Sequence, residues 1–328
     1  MMDIYFDEKY GKLYEGIENG ECVTWTYSGS AGKISHMFLK RKIPFLVDGS
    51  RYYDIITPYG YGGPHIVEVY KGHTATELLE GFSTAFGQYC QDEKIVSEFV
   101  RFYPLSNNGI DFKNIYNSEL NRYTLGTNLE EYDDPVQMEF SKSCRKTIRQ
   151  VLSKGVTFRV ERGEEHLANF IKIYYANMVR KEAADFYFFP ETYFQELYHS
   201  FKDNILFAEA ICEDKIIAAG LYFLSNGVIH AHLSGTDTNY LSLSPAYILK
   251  YGTAVWGKEN GYKCIHYGGG TSSSREDPLY IFKKKFASNT EFPFYIGKKV
   301  WNQEIYDKLC AMKGVEKTSS FFPAYRID

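Results

Sequence analysis

No apolar run in the 328-residue sequence approaches the roughly 18 residues that a membrane-spanning helix requires, and no signal-peptide pattern opens it. A membrane span and a secretory route are therefore not expected, and a cytoplasmic, reducing setting is. The six cysteines (Cys22, Cys90, Cys144, Cys212, Cys264 and Cys310) lack any short spacing, which excludes a zinc-finger pattern and a disulfide framework. Charge of one sign is lacking too. Lys plus Arg number 37 against 41 Asp plus Glu, and the net charge of −4 argues against wholesale nucleic-acid binding while leaving room for a local basic patch; no DNA partner is expected. No Ser-His-Asp or Cys-His arrangement stands out. His230 and His232 alternate on one predicted strand, but with no third ligand nearby in sequence no metal site is expected.

What is present in excess is aromatic: 29 Tyr and 24 Phe bring the aromatic share to 17%. Such an excess either fills cores or lines clefts whose ring faces and hydroxyls grip a sugar or a base. A hydrophobic share of 44% suffices for real cores, and 328 residues suit two domains of about 150 residues each.

The segment Lys263–Phe286 carries the sharpest signal. A short apolar strand, Cys264–Tyr267, runs into Gly268-Gly269-Gly270, then a Thr-Ser-Ser-Ser loop, then a stretch ending in Phe282-Lys283-Lys284-Lys285-Phe286. Three glycines at a strand end let another molecule approach the backbone, because no Cβ stands in the way. Lysines one short helix later can meet a negative charge held there. Upstream, Asn204–Cys212, Lys215–Leu224 and Val228–Gly235 read as three antiparallel strands, the last two joined by Asn226-Gly227, a strong hairpin signal. Ser244 and Pro245 open a helix that ends before Gly261. Two more helices are expected over Glu164–Lys181 and Pro190–Phe201.

The run His266-Tyr267-Gly268-Gly269-Gly270, with Asp277-Pro278-Leu279-Tyr280 and Phe282-Lys283 after it, resembles the signature of the FemAB/FemX-like transferases. So does Tyr53-Asp54-Ile55-Ile56-Thr57-Pro58-Tyr59-Gly60-Tyr61-Gly62-Gly63-Pro64. The resemblance implies an α/β (α+β) protein with two GNAT-like acyltransferase domains in tandem, each a mixed, mostly antiparallel sheet flanked by helices. The domains are expected at 1–137 and 138–297, with a tail, 298–328, packing back on the first. Family members of this kind move an amino acid from aminoacyl-tRNA to an amine of a peptidoglycan precursor. The resemblance implies that Lys283 is catalytic, and that Phe282, Tyr193, His232, Ser234, Tyr267 and the three glycines contact substrate.

Two further segments are ambiguous. In Ser141–Lys154 the apolar Cys144, Ile148, Val151 and Leu152 share one helical face, while Lys142, Arg145, Lys146 and Arg149 share the other. That stripe is either a solvated face or a phosphate or RNA contact through Arg145, Lys146 and Arg149. The first half reads as strands at Glu21–Ser28, Lys33–Lys40, Tyr52–Thr57 and Ile95–Tyr103, with a helix at Ala75–Gln91. Its Pro58–Pro64 loop is either a tight structural turn or, through Tyr59 and Tyr61, a wall for the acceptor.

The donor is read from Thr236–Ala246. A CoA-binding loop offers bare backbone N–H groups to a pyrophosphate. This stretch has no glycine and no arginine, contains Asp237, and places Pro245 where an N–H is needed. That counts against tight acetyl-CoA binding; the family resemblance implies aminoacyl-tRNA as the leading donor, with acetyl-CoA or another acyl-CoA the alternative, and no permanently bound cofactor is expected. The resemblance implies a nucleotide-sugar or lipid-linked cell-surface precursor as acceptor, although the aromatic stretch Asp185–Tyr193 lacks the arginine with which family members hold nucleotide-sugar phosphates. Acyl-CoA-dependent modification of an amino sugar and a non-catalytic binding module are the competing readings.

Overall fold

The computed structural model describes residues 3–317, 319 and 321–327. The labelled elements are, in chain order, β1 (Gly20–Gly29), β2 (Gly32–Val47), β3 (Ser50–Ile56), β4 (His65–Val69), α1 (Ala75–Asp92), β5 (Ile95–Arg101), β6 (Glu119–Asn128), α2 (Lys142–Leu152), β7 (Thr157–Glu161), α3 (Leu167–Arg180), α4 (Glu191–Phe201), β8 (Ile205–Cys212), β9 (Lys215–Ser225), β10 (Val228–Thr236), α5 (Pro245–Glu259), β11 (Cys264–Gly268), α6 (Pro278–Lys284), β12 (Thr290–Val300) and α7 (Gln303–Lys313). None of the helices among the described residues is long and apolar enough to cross a membrane.

The chain divides into two compact units, Tyr5–Asn121 with Pro293–Asp328, and Arg122–Phe292 with Met1–Ile4. The boundary expected at residue 137 thus lies earlier, because Leu125–Asn128 of β6 form a ladder with β11. The tail also starts earlier than 298: Ile296–Val300 of β12 pair with Ser97–Arg101 of β5.

In the first unit α1 forms because Thr74 and Glu77 make a capping box and Leu78, Phe82, Phe86 and Cys90 recur every fourth residue. That stripe packs on Ile34, Phe38 and Val100. Strand β2 runs to Val47, past the Lys40 expected from sequence. Pro44 is tolerated because it falls within the register break between Lys42 and Leu46, where no ladder N–H is needed. On another cluster Ile305, Tyr306 and Leu309 of α7 meet Ile43, Val47 and Val96, joined by Tyr325 of the C-terminal segment.

In the second unit the sheet order is β6-β11-β10-β9-β8-β7. Strand β8 is buried on both faces, as its mostly apolar sequence requires, and its one charged residue, Glu209, is held by Arg159 at 2.6 Å and His166 at 3.2 Å. Leu206, Ala208 and Ala210 point to the core that holds Ile248 and Leu249 of α5, whereas Phe207 meets Phe170 of α3. All pairs in this sheet are antiparallel except β10 with β11, whose parallel ladder has three residue pairs, Val228–His230 with Cys264–His266. Beyond His230, β10 continues to Thr236 paired with β9 alone. The end of that ladder positions the candidate site.

Candidate active site where two parallel strands part

Strand β11 ends at Gly268, whose φ of +72° lies in the left-handed region that suits glycine. The two glycines that follow are required by space. A Cβ on Gly269 would stand 2.9 Å from Arg122 Cδ, and one on Gly270 would stand 2.5 Å from Asp277 Oδ1. Asp277 ties the loop down. Its Oδ1 accepts from the N–H groups of Leu279 and Tyr280, capping α6, and its Oδ2 accepts from the N–H and hydroxyl groups of Thr271 and Ser272. The Thr271 hydroxyl foremost, with these amides, holds its carboxyl well below the usual range.

The folded loop presents two carbonyls to two cations. Lys283 Nζ donates to Gly269 O over 2.6 Å, and an Arg122 guanidinium nitrogen to Gly270 O over 2.7 Å. The three adjacent lysines at the end of α6, Lys285 being its C-cap, diverge as helical geometry demands. Lys284 pairs with Glu291 at 2.7 Å, and Lys285 donates to the Tyr247 hydroxyl at 2.9 Å. Burial, then the charge of Lys250, pushes the Lys283 ammonium down from 10.5 to about 7, with Asp277 acting in the opposite sense. Lys250, on α5, has no carboxylate partner among the described residues. Its Nζ lies 4.3 Å from the centre of the Tyr267 ring, with Phe286 and Phe282 at 5.7 and 5.9 Å, and burial pushes it down to about 8.

The sequence-derived contacts separate into two groups. His232 is the extra residue of a bulge between Ala231 and Leu233, on the stretch of β10 that β11 has left. Its Nε2 shares a 2.9 Å hydrogen bond with the Tyr193 hydroxyl, and burial, then His230, lowers it to about 3, so the ring is neutral. Ser234 is exposed two residues further on. Tyr193 itself is buried and stacks on Phe189 at 4.7 Å, so it positions His232 from behind. Tyr267 is corrected from substrate contact to core residue: it is buried, and its hydroxyl bonds Thr127 Oγ1 at 2.7 Å. Side chains on a five-residue strand alternate, and Tyr267 shares the inward face with Ile265. Phe282 is partly buried against Tyr247 and Phe286. Tyr59 and Tyr61 belong to the other unit, where the Tyr59 carbonyl accepts from Tyr10 and Tyr61 packs edge-on to Tyr5. His230 bonds Asp3 at 3.0 Å and His232 bonds Tyr193, so the two histidines face different partners.

Residues 138–278 match the family model of the acetyltransferase (GNAT) domain. Across its length the chain also has the fold of FemX, with a TM-score of 0.69 at 12% identity over 93% of this chain and 94% of that one. L-PGS from Bacillus licheniformis gives 0.56 at 15% identity, covering 94% and 96% of the two chains. The C-terminal domain of a putative lysylphosphatidylglycerol synthetase from Agrobacterium fabrum also gives 0.56, at 11% identity over 95% and 97%. No curated protein sequence matches. At these identities the likeness is one of fold, and at that level it bears out the family resemblance read from the sequence.

Within the matched stretch the loop before α5 is a short 3-10 helix, Thr238–Leu243, rather than an open array of amides. Asp237 caps it by accepting from Asn239 N. Ser244 occupies the N-cap position of α5 as expected, but in the left-handed region and without a side-chain capping bond. On α2, Lys142, Lys146 and Arg149 are exposed. Arg145 is not available as the sequence suggested, since its guanidinium donates to the carbonyls of Gln137 and Phe140.

Proposed function

We propose that this chain is an N-acyltransferase that moves an aminoacyl group from aminoacyl-tRNA onto an amine of a cell-wall or cell-surface precursor, working in the cytoplasm. The observation that carries this reading is Lys283 seated on the Gly269 carbonyl, just past the point where β10 and β11 part. An activated ester laid against the freed edge of β10 brings its carbonyl to a site with a fixed cation at one end and a neutral imidazole, His232, along the strand.

The acceptor nitrogen, as the free amine, attacks the ester carbonyl carbon. A C–N bond forms and the carbonyl electron pair moves onto oxygen. Lys283 holds that oxyanion, a role worth about 3–4 kcal/mol in a site partly cleared of water. Collapse restores the carbonyl and breaks the C–O bond to the ribose. The proton lost by the nitrogen ends on the departing hydroxyl, so no enzyme nucleophile is needed. The Lys283 hydrogen bond to Gly269 uses one of three ammonium protons and leaves two for the substrate.

The acidic, proline-terminated loop before α5 counts against acyl-CoA, because Asp237 repels a diphosphate held there and Pro245 removes an N–H. Incubation of the full-length protein with an amine acceptor and either charged tRNA or acetyl-CoA tests the reading. Transfer from charged tRNA, lost in Lys283→Met, supports it. Transfer from acetyl-CoA alone overturns the donor assignment, and transfer from neither leaves a binding module on this fold.

A further inference from the structure

The two lysines at the end of α6 that turn away from Gly269 line a cavity of their own. Lys284 and Lys285, with Arg275, Ser141, Ser143 and the exposed Ile281, bound an open pocket of about 430 Å³. Three cations converge there. The carboxylate that answers them is Glu291, paired with Arg275 at 3.1 Å and Lys284 at 2.7 Å; Lys285 bonds a neutral phenol. Two positive charges remain in excess. Ser141 and Ser143 open α2, whose first turn carries no acidic side chain.

The excess continues beyond the pocket. Lys142, Lys146 and Arg149 follow at i, i+4 and i+7 along one exposed face of α2, without hydrogen-bond or ion-pair partners among the described residues. Like charges at i+4 destabilise an isolated helix, so the stripe is maintained against its own repulsion. From Lys142 to Arg149 it rises about 10 Å. A single small anion would be satisfied by the pocket alone, and a membrane surface would need more than one exposed apolar side chain. A polyanion fits both parts.

We infer that the pocket and the α2 stripe together form a track for the phosphodiester backbone of RNA, separate from the group that meets the acyl carbon. The inference rests on the reading that the donor is a charged tRNA, and it assigns the donor's phosphates to Lys142, Lys146, Arg149, Arg275 and Lys285. Ser143 supplies a hydroxyl donor at the junction.

Fluorescence anisotropy with deacylated tRNA, titrated against salt, tests it on the full-length protein. The variants are the triple K142Q/K146Q/R149Q and the double R275Q/K285Q, each checked for an unchanged melting temperature. A double K71Q/K113Q, which removes two exposed lysines of the other unit, controls for net charge. The track variants should bind at least about tenfold more weakly, with the slope of log affinity against log salt reduced by about 0.7–0.9 per lost contact. The control should bind as the native protein does. Equal weakening in the control, or unchanged affinity in the triple variant, would overturn the track. So would loss of binding to phosphatidylglycerol vesicles without loss of binding to tRNA. If the enzyme transfers only from acetyl-CoA yet binds RNA through these residues, the donor assignment falls and the track stands.

Discussion

Lys283 donates a hydrogen bond to the main-chain carbonyl of Gly269 across 2.6 Å, fixing an ammonium at the mouth of the opening between β10 and β11. Lys285, two residues on, is turned to Tyr247 and the basic pocket. The two substitutions should therefore separate kinetically. Lys283→Met should lower kcat by about a hundredfold or more, the loss of one oxyanion donor. Lys285→Met should raise KM for the charged donor and leave kcat nearly intact. Steady-state kinetics with both variants checks this; equal, small effects would reduce the cluster to a charged surface.

The same ammonium predicts a pH dependence. Lys283 is held down to about 7 by burial and then by Lys250, itself held to about 8. A cationic role for Lys283 means that kcat/KM, which reports the free enzyme, falls as pH rises through about 7. Removing its charged neighbour by Lys250→Met should move that limb upward, and Lys283→Arg should abolish it. Stability runs the other way. The unfolded chain keeps both lysines protonated up to the ordinary 10.5, so between about 7 and 10.5 it binds more protons than the folded chain and stability rises with pH. Below that window the whole cost of burying the charges is present. Lys283→Met should thus be best tolerated at acid pH, a trend that urea melts at several pH values would show.

Asp277 accepts from both ends of the glycine loop, and its two oxygens can be tested apart. In Asp277→Asn the amide oxygen can still cap α6 at Leu279 and Tyr280, but the amide nitrogen then faces the N–H groups of Thr271 and Ser272 as a second donor. Activity should fall by more than tenfold and the melting temperature should drop by several degrees at neutral pH, since about one hydrogen bond's worth of stability is lost on each broken contact. Because the native carboxyl is depressed, its stabilisation is fully present above the ordinary 3.8 and is lost as pH falls through the lower folded value. The native protein and the Asp277→Asn variant should therefore converge in acid melts.

The parts of this site written in local chemistry were legible in the sequence. Gly268–Gly270, the Asn226-Gly227 hairpin and the apolar strands β8 to β10 each obey a short-range rule, and they fall within a residue or two of where they were expected. What escaped notice depends on contacts between segments far apart in the chain. Arg122 reaches Gly270 from β6, a polar strand held by its backbone ladder rather than by an apolar pattern. Lys250 looks like any helical lysine until Tyr267, Phe282 and Phe286 are folded around it. The family resemblance placed Tyr267 in the site, and helical periodicity offered Arg145 to solvent or to a phosphate, because neither tells what a side chain meets once the chain has folded. The bulge at His232 has no sequence signature of its own, yet it aims the imidazole at Tyr193.

The C-terminal segment supplies the last prediction. Asp54 is buried on β3 and is held by Arg41 at 2.9 Å, by Arg326, and by the Tyr325 hydroxyl at 3.2 Å; that hydroxyl also bonds Ser97 at 2.7 Å. Tyr325 and Ala324 complete the cluster around Ile43, Val96 and Leu309. Truncation after Gly314 would strip a buried carboxylate of two partners and open that apolar surface, so it should destabilise the first unit by about 3 kcal/mol or more. The melting temperature of that unit should drop by roughly 6–12 °C. Tyr325→Phe, which keeps the ring and loses the hydroxyl, should cost about 1 kcal/mol. Calorimetry of both variants checks the order. A truncated protein that melts with the full chain would show that Arg41 alone satisfies Asp54 and that the tail adds nothing to this core.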